Sequence, residues 1–234
     1  VLDEPQGIVL IASPPRQGRT TTLYSVIASH DPYMLDIHTI EESIEHEIEG
    51  VTHHKVGDEG LAKTLQSRLL REPDILMLGN LGDKETAKAA AKAGREGKRL
   101  YAGLQANDTM QALQVWMKAV EDQDLAAESL AAILCQRLIR KLCPTCRQAF
   151  RPDPKALKRL NLPADRIQQL FKESGKVMVK NKPEPCPTCN GIGYQGRTAV
   201  FEVMVLDAQA KDFVRSGDLG NLRSYLRKKK MLWL

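Results

Sequence analysis

Short runs that are apolar at every position, rather than at every second one, recur through the first half of this chain. Gly7-Ile-Val-Leu-Ile-Ala12 and Asp74-Ile-Leu-Met-Leu-Gly79 are the plainest, with Leu35–Ile40, Val51–Val56 and Arg99–Leu104 beside them. A strand that is apolar on both faces must be covered on both faces, which is the condition of a parallel sheet between helices. Helical patterns fall between the runs. They are Thr20–Ser29; Gly60–Arg71 with Leu61, Leu65, Leu69 and Leu70 on one face; Ala87–Ala93; and Thr109–Val120. Strand–helix alternation of this kind predicts an α/β fold with a mostly parallel sheet. Leu125–Leu142 reads as one long helix. Its apolar face is expected to pack on the sheet, and its basic last turns (Arg137, Arg140, Lys141) suit a helix C-terminus.

The character changes at Cys143. Residues 143–196 hold seven of the twelve prolines, a helix-like stretch at Lys155–Ser174 and few apolar runs. A short strand, Ala199–Val205, and a basic helix, Leu219–Lys230, complete the chain. The net charge of +5 is unevenly spread, −8 over residues 1–134 and +13 over 135–234. With 42% hydrophobic and 27% charged residues the composition is that of a globular protein. No apolar run approaches the roughly 18 residues of a membrane span. Val1-Leu2-Asp3-Glu4 has no signal-peptide character. The lack of an initiator Met and of any cap around Trp233-Leu234 leads us to expect a fragment of a longer protein.

Four of the five cysteines form two matching knuckles, Cys143-Pro-Thr-Cys146 and Cys186-Pro-Thr-Cys189, with 39 residues between them. Each presents two thiolates from one turn, and the pair makes a tetrahedral S₄ set suited to a structural Zn²⁺. Cys135, among Ala131, Ile133, Leu134 and Leu138, reads as a small core residue.

Between the first strand and the first helix lies Ser13-Pro-Pro-Arg16-Gln17-Gly18-Arg19-Thr20. A phosphate loop belongs at this place, but of its G-x-x-x-x-G-K-[ST] pattern only Gly18 and Thr20 fit. Pro14 and Pro15 donate no N–H, and Arg16 stands where a small residue would let the backbone approach a phosphate. The residues left to hold a nucleotide are Arg16, Gln17, Gly18, Arg19, Thr20 and Thr21; the alternative is a plain strand–helix turn. Thr39-Ile40-Glu41-Glu42-Ser43-Ile44-Glu45 ends a strand with three carboxylates, fit to hold Mg²⁺ or orient a water, or else a solvated acidic loop. Asn80 ends another strand where a carboxylate of a Walker B motif would stand.

Taken in order, these segments resemble the C-terminal ATPase domain of the type II secretion and type IV pilus assembly ATPase family, from Gly7 to about Lys230. Gly7–Leu10 with Gly18–Tyr24 is similar to its Walker A strand and helix. Thr39–Glu45 is similar to its Asp box, Leu70–Asp74 with Asp83–Ala87 to its Walker B region, and Leu104–Asp108 to its His box. Gln136–Cys146 and Gly193–Val203 match almost residue for residue. The resemblance implies a RecA-like P-loop core with a C-terminal tetracysteine zinc module, divided as 1–142, 143–198 and 199–234. It also implies ATP with Mg²⁺ as cofactor, a hexamer, protein partners in a secretion or pilus assembly complex, and a cytoplasmic place at the inner membrane, touched only through those partners.

The departures fall on the chemistry. Arg19 stands for the Walker A Lys, and Ser13 and Arg16 for two glycines. Asn80 stands for the Walker B Glu, Gly82 for an Arg, and Gln105 for the His of the His box. Glu42 and Ser43 replace an Asp and a Pro, while Glu41 and Glu45 remain. Arg carries a planar fork where Lys is a point charge. Asn takes no proton from water, and Gln does not titrate. These losses lead us to expect a non-hydrolysing structural or regulatory relative, with Glu41, Glu45, Asn80 and Gln105 as catalytic vestiges. One alternative is a working ATPase in which Arg19 serves for Lys and Glu41 or Glu45 is the base. Another is a nucleic-acid binder using the zinc module and the basic C-terminal region; scattered charges and few aromatics make nucleic acid the less expected partner.

Overall fold

The structure, a computed structural model, describes residues 6–160, 162–163, 165–229 and 231. The chain ends read above, Val1-Leu2-Asp3-Glu4 and Trp233-Leu234, and Lys230 lie outside them. Two compact units are present, one running to Arg137 and resuming at Val200, the other spanning Leu138–Ala199.

The larger unit contains β1 (Gly7–Ser13), α1 (Arg19–Ile27), β2 (Ile37–Glu41), β3 (Thr52–Lys55), α2 (Leu61–Leu69), β4 (Ile75–Leu78), α3 (Lys84–Arg95), β5 (Arg99–Gln105), α4 (Thr109–Val120) and α5 (Gln123–Ser129). After α5 comes β6 (Leu130–Leu142). The strand β11 (Tyr194–Val205) and the helices α7 (Ala208–Arg215) and α8 (Leu219–Lys228) close the chain. The strands form one seven-stranded sheet in the order β11-β6-β1-β5-β4-β2-β3. All five pairings from β6 through β3 are parallel.

β1 is buried at all seven positions. Alternate side chains point to opposite faces, so Ile8, Leu10 and Ala12 join the core beneath α3, α4 and α5, while Val9 and Ile11 join Leu23 and Ile27 of α1 on the other face. The alanines of α3 let it lie close to the sheet. At Gly94 even a methyl group would stand 2.8 Å from Ile8 Cγ1 and 3.1 Å from the Ser129 carbonyl oxygen. Trp116 of α4 is sealed in this layer, its Nε1–H donating to the Ala126 carbonyl at 3.0 Å.

The long helix expected at Leu125–Leu142 is not formed. α5 stops at Ser129, Leu130 turns extended (φ −92°, ψ 123°), and a thirteen-residue strand follows. Its apolar residues feed both layers, Leu130, Ile133 and Cys135 on one side and Ala132 on the other. A run apolar on both faces has the same pattern in a buried strand and a buried helix. The open edge of β1 decides between them, because its sealed N–H and C=O groups need a partner strand. A register shift opposite Ile8/Val9 absorbs one residue, Ala131. The basic residues Arg137, Arg140 and Lys141 therefore lie along a strand, and it is this strand that leads into Cys143.

The smaller unit holds β7 (Gln148–Phe150), α6 (Pro154–Arg159), β8 (Leu170–Lys172), β9 (Lys176–Val179) and β10 (Lys182–Pro185), with β7–β8 and β9–β10 as antiparallel ribbons. The helix expected over Lys155–Ser174 shrinks to α6. Pro163 removes a helical N–H, and Leu170–Lys172 pairs with β7 instead; Asn161 and Ala164 lie outside the described residues. The strand expected at Ala199–Val205 begins earlier, at Tyr194, and the C-terminal helix is preceded by α7, a helix not expected from the sequence. Among the described residues no helix is long and apolar enough to cross a membrane.

Trp116→Ala is expected to lower the unfolding free energy by about 3–5 kcal/mol, the usual cost of emptying an aromatic core site. A urea titration of the chain checks this; a loss under about 1 kcal/mol would mean that the layer under α4 collapses into the space.

Candidate functional site at the carboxyl edge of the sheet

In a parallel sheet every strand delivers its following loop to the same edge. Ser13, Glu41, Asn80 and Gln105 each end a strand or follow one there, and Ser13 is the register partner of Gln105 across β1 and β5. The turn from β1 into α1 has Arg16 and Gly18 both left-handed, at φ 60° and 81°. Gly18 is the N-cap of α1, and no side chain caps the helix. The first-turn amides of a helix have no intrahelical acceptor. Ser13 Oγ donates to the Pro14 carbonyl at 2.8 Å. Arg16 is exposed. Arg19 instead folds inward over Gly103, where a Cβ would meet its Nε at 3.2 Å and the Gly79 carbonyl at 2.2 Å. Burial lowers the pKa of Arg19 and the nearby Glu42 carboxylate raises it; the group stays a cation.

A cleft of about 210 Å³ is lined by Arg19, Thr20, Glu41, Glu42, Glu45 and Asn80, among others. Its three carboxylates differ. Glu41 is 3% exposed, its Oε2 accepting from Tyr24 Oη at 2.8 Å and its Oε1 from Thr39 Oγ1 at 2.8 Å. His53 Nε2 accepts from the Ile48 amide at 3.0 Å, which leaves Nδ1–H to donate to Thr39 Oγ1 at 2.9 Å. Tyr24 Oη also accepts the Glu45 amide at 3.2 Å. Burial first, then the bond to Glu41, raises the Tyr24 pKa. Glu41 is thus the anchor of a closed network that fixes the acidic segment, while Glu42 and Glu45 are exposed. Tyr24 and His53 were not singled out by the sequence, because nothing in a helix tyrosine or an edge-strand histidine marks the carboxylate it will meet.

Asn80 lines this cleft and also a second one, of about 420 Å³, where Gln105 lies with Asp83, Lys84, Trp116 and Lys118. The structure therefore brings Arg19, Thr20, Glu42, Glu45 and Asn80 together and sets Gln105 on the far side of Asn80. Gln136 of β6, 2% exposed, is a further residue of the site: its Nε2 donates to the Gln17 carbonyl and its Oε1 accepts from Thr22 Oγ1.

In the smaller unit the four knuckle cysteines are all buried, with their sulfurs within 4.8 Å of one another. Cys143 Sγ and Cys186 Sγ are 3.9 Å apart, and Cys146 Sγ and Cys189 Sγ 3.6 Å. Tetrahedral thiolates about 2.3 Å from a zinc ion stand about 3.8 Å from each other, whereas a disulfide needs about 2.05 Å. The donor set and its spacing fit Zn²⁺. The Gly193 amide donates to Cys189 Sγ at 3.2 Å. Gly175, left-handed at φ 70°, has no room for a Cβ, which would sit 2.2 Å from the Gly191 carbonyl behind the second knuckle. Cys135 belongs to the other unit, where it is fully buried and donates to the Ala106 carbonyl at 3.8 Å. Burial, then Glu202, pushes its thiol up to about 11.

The model of the family described as type II/IV secretion system protein matches residues 1–233. The type IV pilus assembly ATPase PilB of Thermus thermophilus is 34% identical over 223 residues, covering 93% of this chain and 24% of that protein. The type II secretion system protein E of Klebsiella pneumoniae is 31% identical over 221 residues, covering 93% of this chain and 42% of that protein. The chain thus spans about a quarter to two fifths of the length of these curated relatives. The solved structure of the pilus retraction motor PilT with bound ADP superposes with a TM-score of 0.64 at 18% identity, covering 97% of this chain and 55% of that one. The Legionella pneumophila ATPase DotB gives 0.62 at 18% identity, covering 97% and 53%. At such identity the likeness is one of fold.

At the β2–β3 edge of the sheet two histidine rings stand side by side. His54 of β3 has its Nε2 3.2 Å from His38 Nδ1, and burial, then Arg68, lowers its pKa to about 4. The unfolded residue titrates near 6.5. Below that pH the unfolded chain holds the extra proton, so the contribution present above 6.5 is lost as pH falls towards 4. Urea midpoints at pH 7.5 and 4.5 should fall less between the two for His54→Gln than for the unmodified chain; equal falls would show that His54 carries none of the loss.

Proposed function

This chain belongs to the type II/IV secretion system protein family, and we propose that within it the chain is a degenerate, non-hydrolysing relative of the motor ATPases that acts as a structural or regulatory component. One observation carries the reading: the edge of the sheet keeps the turned loop and a cation at Arg19 but offers Asn80 and Gln105 where hydrolysis needs groups that titrate or carry full charge. Glu41 serves there as a support, its two oxygens accepting from Tyr24 and Thr39. An anion of phosphate type is the ligand the loop suits, held by Arg19 and the amides from Gln17 to Thr21. The Thr20 hydroxyl is the group for a Mg²⁺ that would accompany a nucleotide. Such a Mg²⁺·nucleotide would supply the phosphate charge to which a motor responds; here the residues bind and orient it without moving a proton. Partners are components of a secretion or pilus machine at the cytoplasmic face of the inner membrane, and other copies of the chain in a hexamer.

A second reading draws on one observation: Glu42 and Glu45 are exposed carboxylates on the same cleft as Arg19 and Thr20. In that reading Glu45 orients the water and the chain turns over ATP.

Two measurements decide. Phosphate release from ATP with Mg²⁺ is expected at background, and the double variant Arg19→Lys with Asn80→Glu is expected not to raise it, because Pro14, Pro15 and Gln105 remain. Mg²⁺-dependent turnover that disappears in Arg19→Ala would replace the first reading by the second. Elemental analysis is expected to find about one zinc per chain, and Cys186→Ser to lose it together with the fold of the 138–199 unit, since metal binding and folding are linked. Well under one zinc in the unmodified protein would refute the assignment of Cys143, Cys146, Cys186 and Cys189.

A further inference from the structure

The loop from Pro14 to Gly18 keeps a doubly left-handed turn although the first of its two left-handed residues, Arg16 at φ 60°, carries a Cβ. That conformation is disfavoured for any residue but glycine and persists only where the surroundings impose it. Ser13, which ends β1, and Arg16 stand where the resemblance implies glycines, so something outside the loop must hold its shape.

We infer that Gln136 is the positioning residue that does so. It stands on β6, one place beyond the Ala12–Cys135 register pair, beside the end of β1. Its carboxamide spans the loop. Nε2 donates to the Gln17 carbonyl at 2.6 Å, one residue after Arg16, and Oε1 accepts from the hydroxyl of Thr22 in the first turn of α1. The side chain is 2% exposed, so water does not compete for either bond. The orientation of the amide is unambiguous: turned over, Oε1 would face the Gln17 carbonyl oxygen and both would be acceptors. Gln136 therefore ties the peptide before Gly18 to the helix that follows, and with it the amides from Gln17 to Thr21 that face an incoming anion. Leucine has nearly the same volume but makes neither bond. Glutamate would set a negative charge against a carbonyl oxygen and beside the anion site.

The ligand is taken from the reading above, that this loop retains a phosphate-type anion; the geometry stands without it. Two measurements on the unmodified chain, on Gln136→Leu and on Thr22→Val separate the two. Amide hydrogen exchange without ligand should be about tenfold faster at residues 22–25 in Gln136→Leu, the first amides of α1 that are hydrogen-bonded (Thr22 N–H to the Gly18 carbonyl at 3.1 Å), as for the loss of a buried hydrogen bond, with the amides of β4 and β5 unchanged. Thr22→Val removes one arm and should give a smaller rise, and the double variant should be no worse than Gln136→Leu, because the two bonds act as one unit. Titration with Mg²⁺·ADP should show binding weakened about tenfold in Gln136→Leu.

Exchange at 22–25 that does not change, or that rises equally through the whole sheet, overturns the assignment. So does equal ADP affinity in Gln136→Leu and the unmodified chain, which leaves the nucleotide reading intact. An unmodified chain that binds no ADP, with exchange still rising only at 22–25, supports Gln136 as the clamp and overturns the nucleotide reading. If Gln136→Leu fails to fold, Thr22→Val alone decides: local loosening at 22–25 supports the clamp, and none refutes it.

Discussion

A strand sealed on both faces has to satisfy its backbone on both edges, and β1 is such a strand. Seven consecutive buried residues place its amides and carbonyls beyond the reach of water, so two neighbouring strands are obligatory. β5 meets one edge and β6 the other. The helices above and below then cover the alternating side chains. Because all these strands are parallel, their ends deliver the loop before α1, the acidic segment after β2, and Asn80 and Gln105 to one edge. The candidate site is a consequence of how β1 is buried.

At that edge the structure shows a turned loop, a half-buried cation and a network of supports. The turn into α1 is still left-handed at two positions, Gly103 still leaves room for a long cation, and Arg19 fills that room. Glu41, the one deeply buried carboxylate, is bound by a tyrosine, a threonine and, through that threonine, a histidine, which makes it a support for the loop after it. A network in which every member is satisfied rigidifies a segment. Gln136 is a second such support, on the opposite flank of the loop.

The 138–199 unit rests on a different constraint. Two ribbons of three- and four-residue strands and one six-residue helix bury little apolar surface. Units of this size and poverty of core are held by cross-links or metal. The four sulfurs are its most buried cluster, with Val177 packed against them.

The sequence by itself determined that the chain is α/β with a mostly parallel sheet, because runs such as Gly7–Ala12 and Asp74–Gly79 are apolar on both faces and only one arrangement covers both. It also determined that the four cysteines form one set, since matching knuckles need each other to complete a tetrahedron. The phosphate-loop position was legible from its place between a strand and a helix, and its departures from the family's pattern from the resemblance. Tertiary structure decided the rest. Leu130–Leu142 became a strand because β1 had an open edge, a fact recorded more than a hundred residues away. Glu41 became an anchor because Tyr24, Thr39 and His53 converge on it, and Gln136 became a clamp because β6 runs beside the loop. A local pattern states which faces of a segment are apolar; which neighbour covers a face, and which polar groups then find each other, depends on residues far apart in the chain.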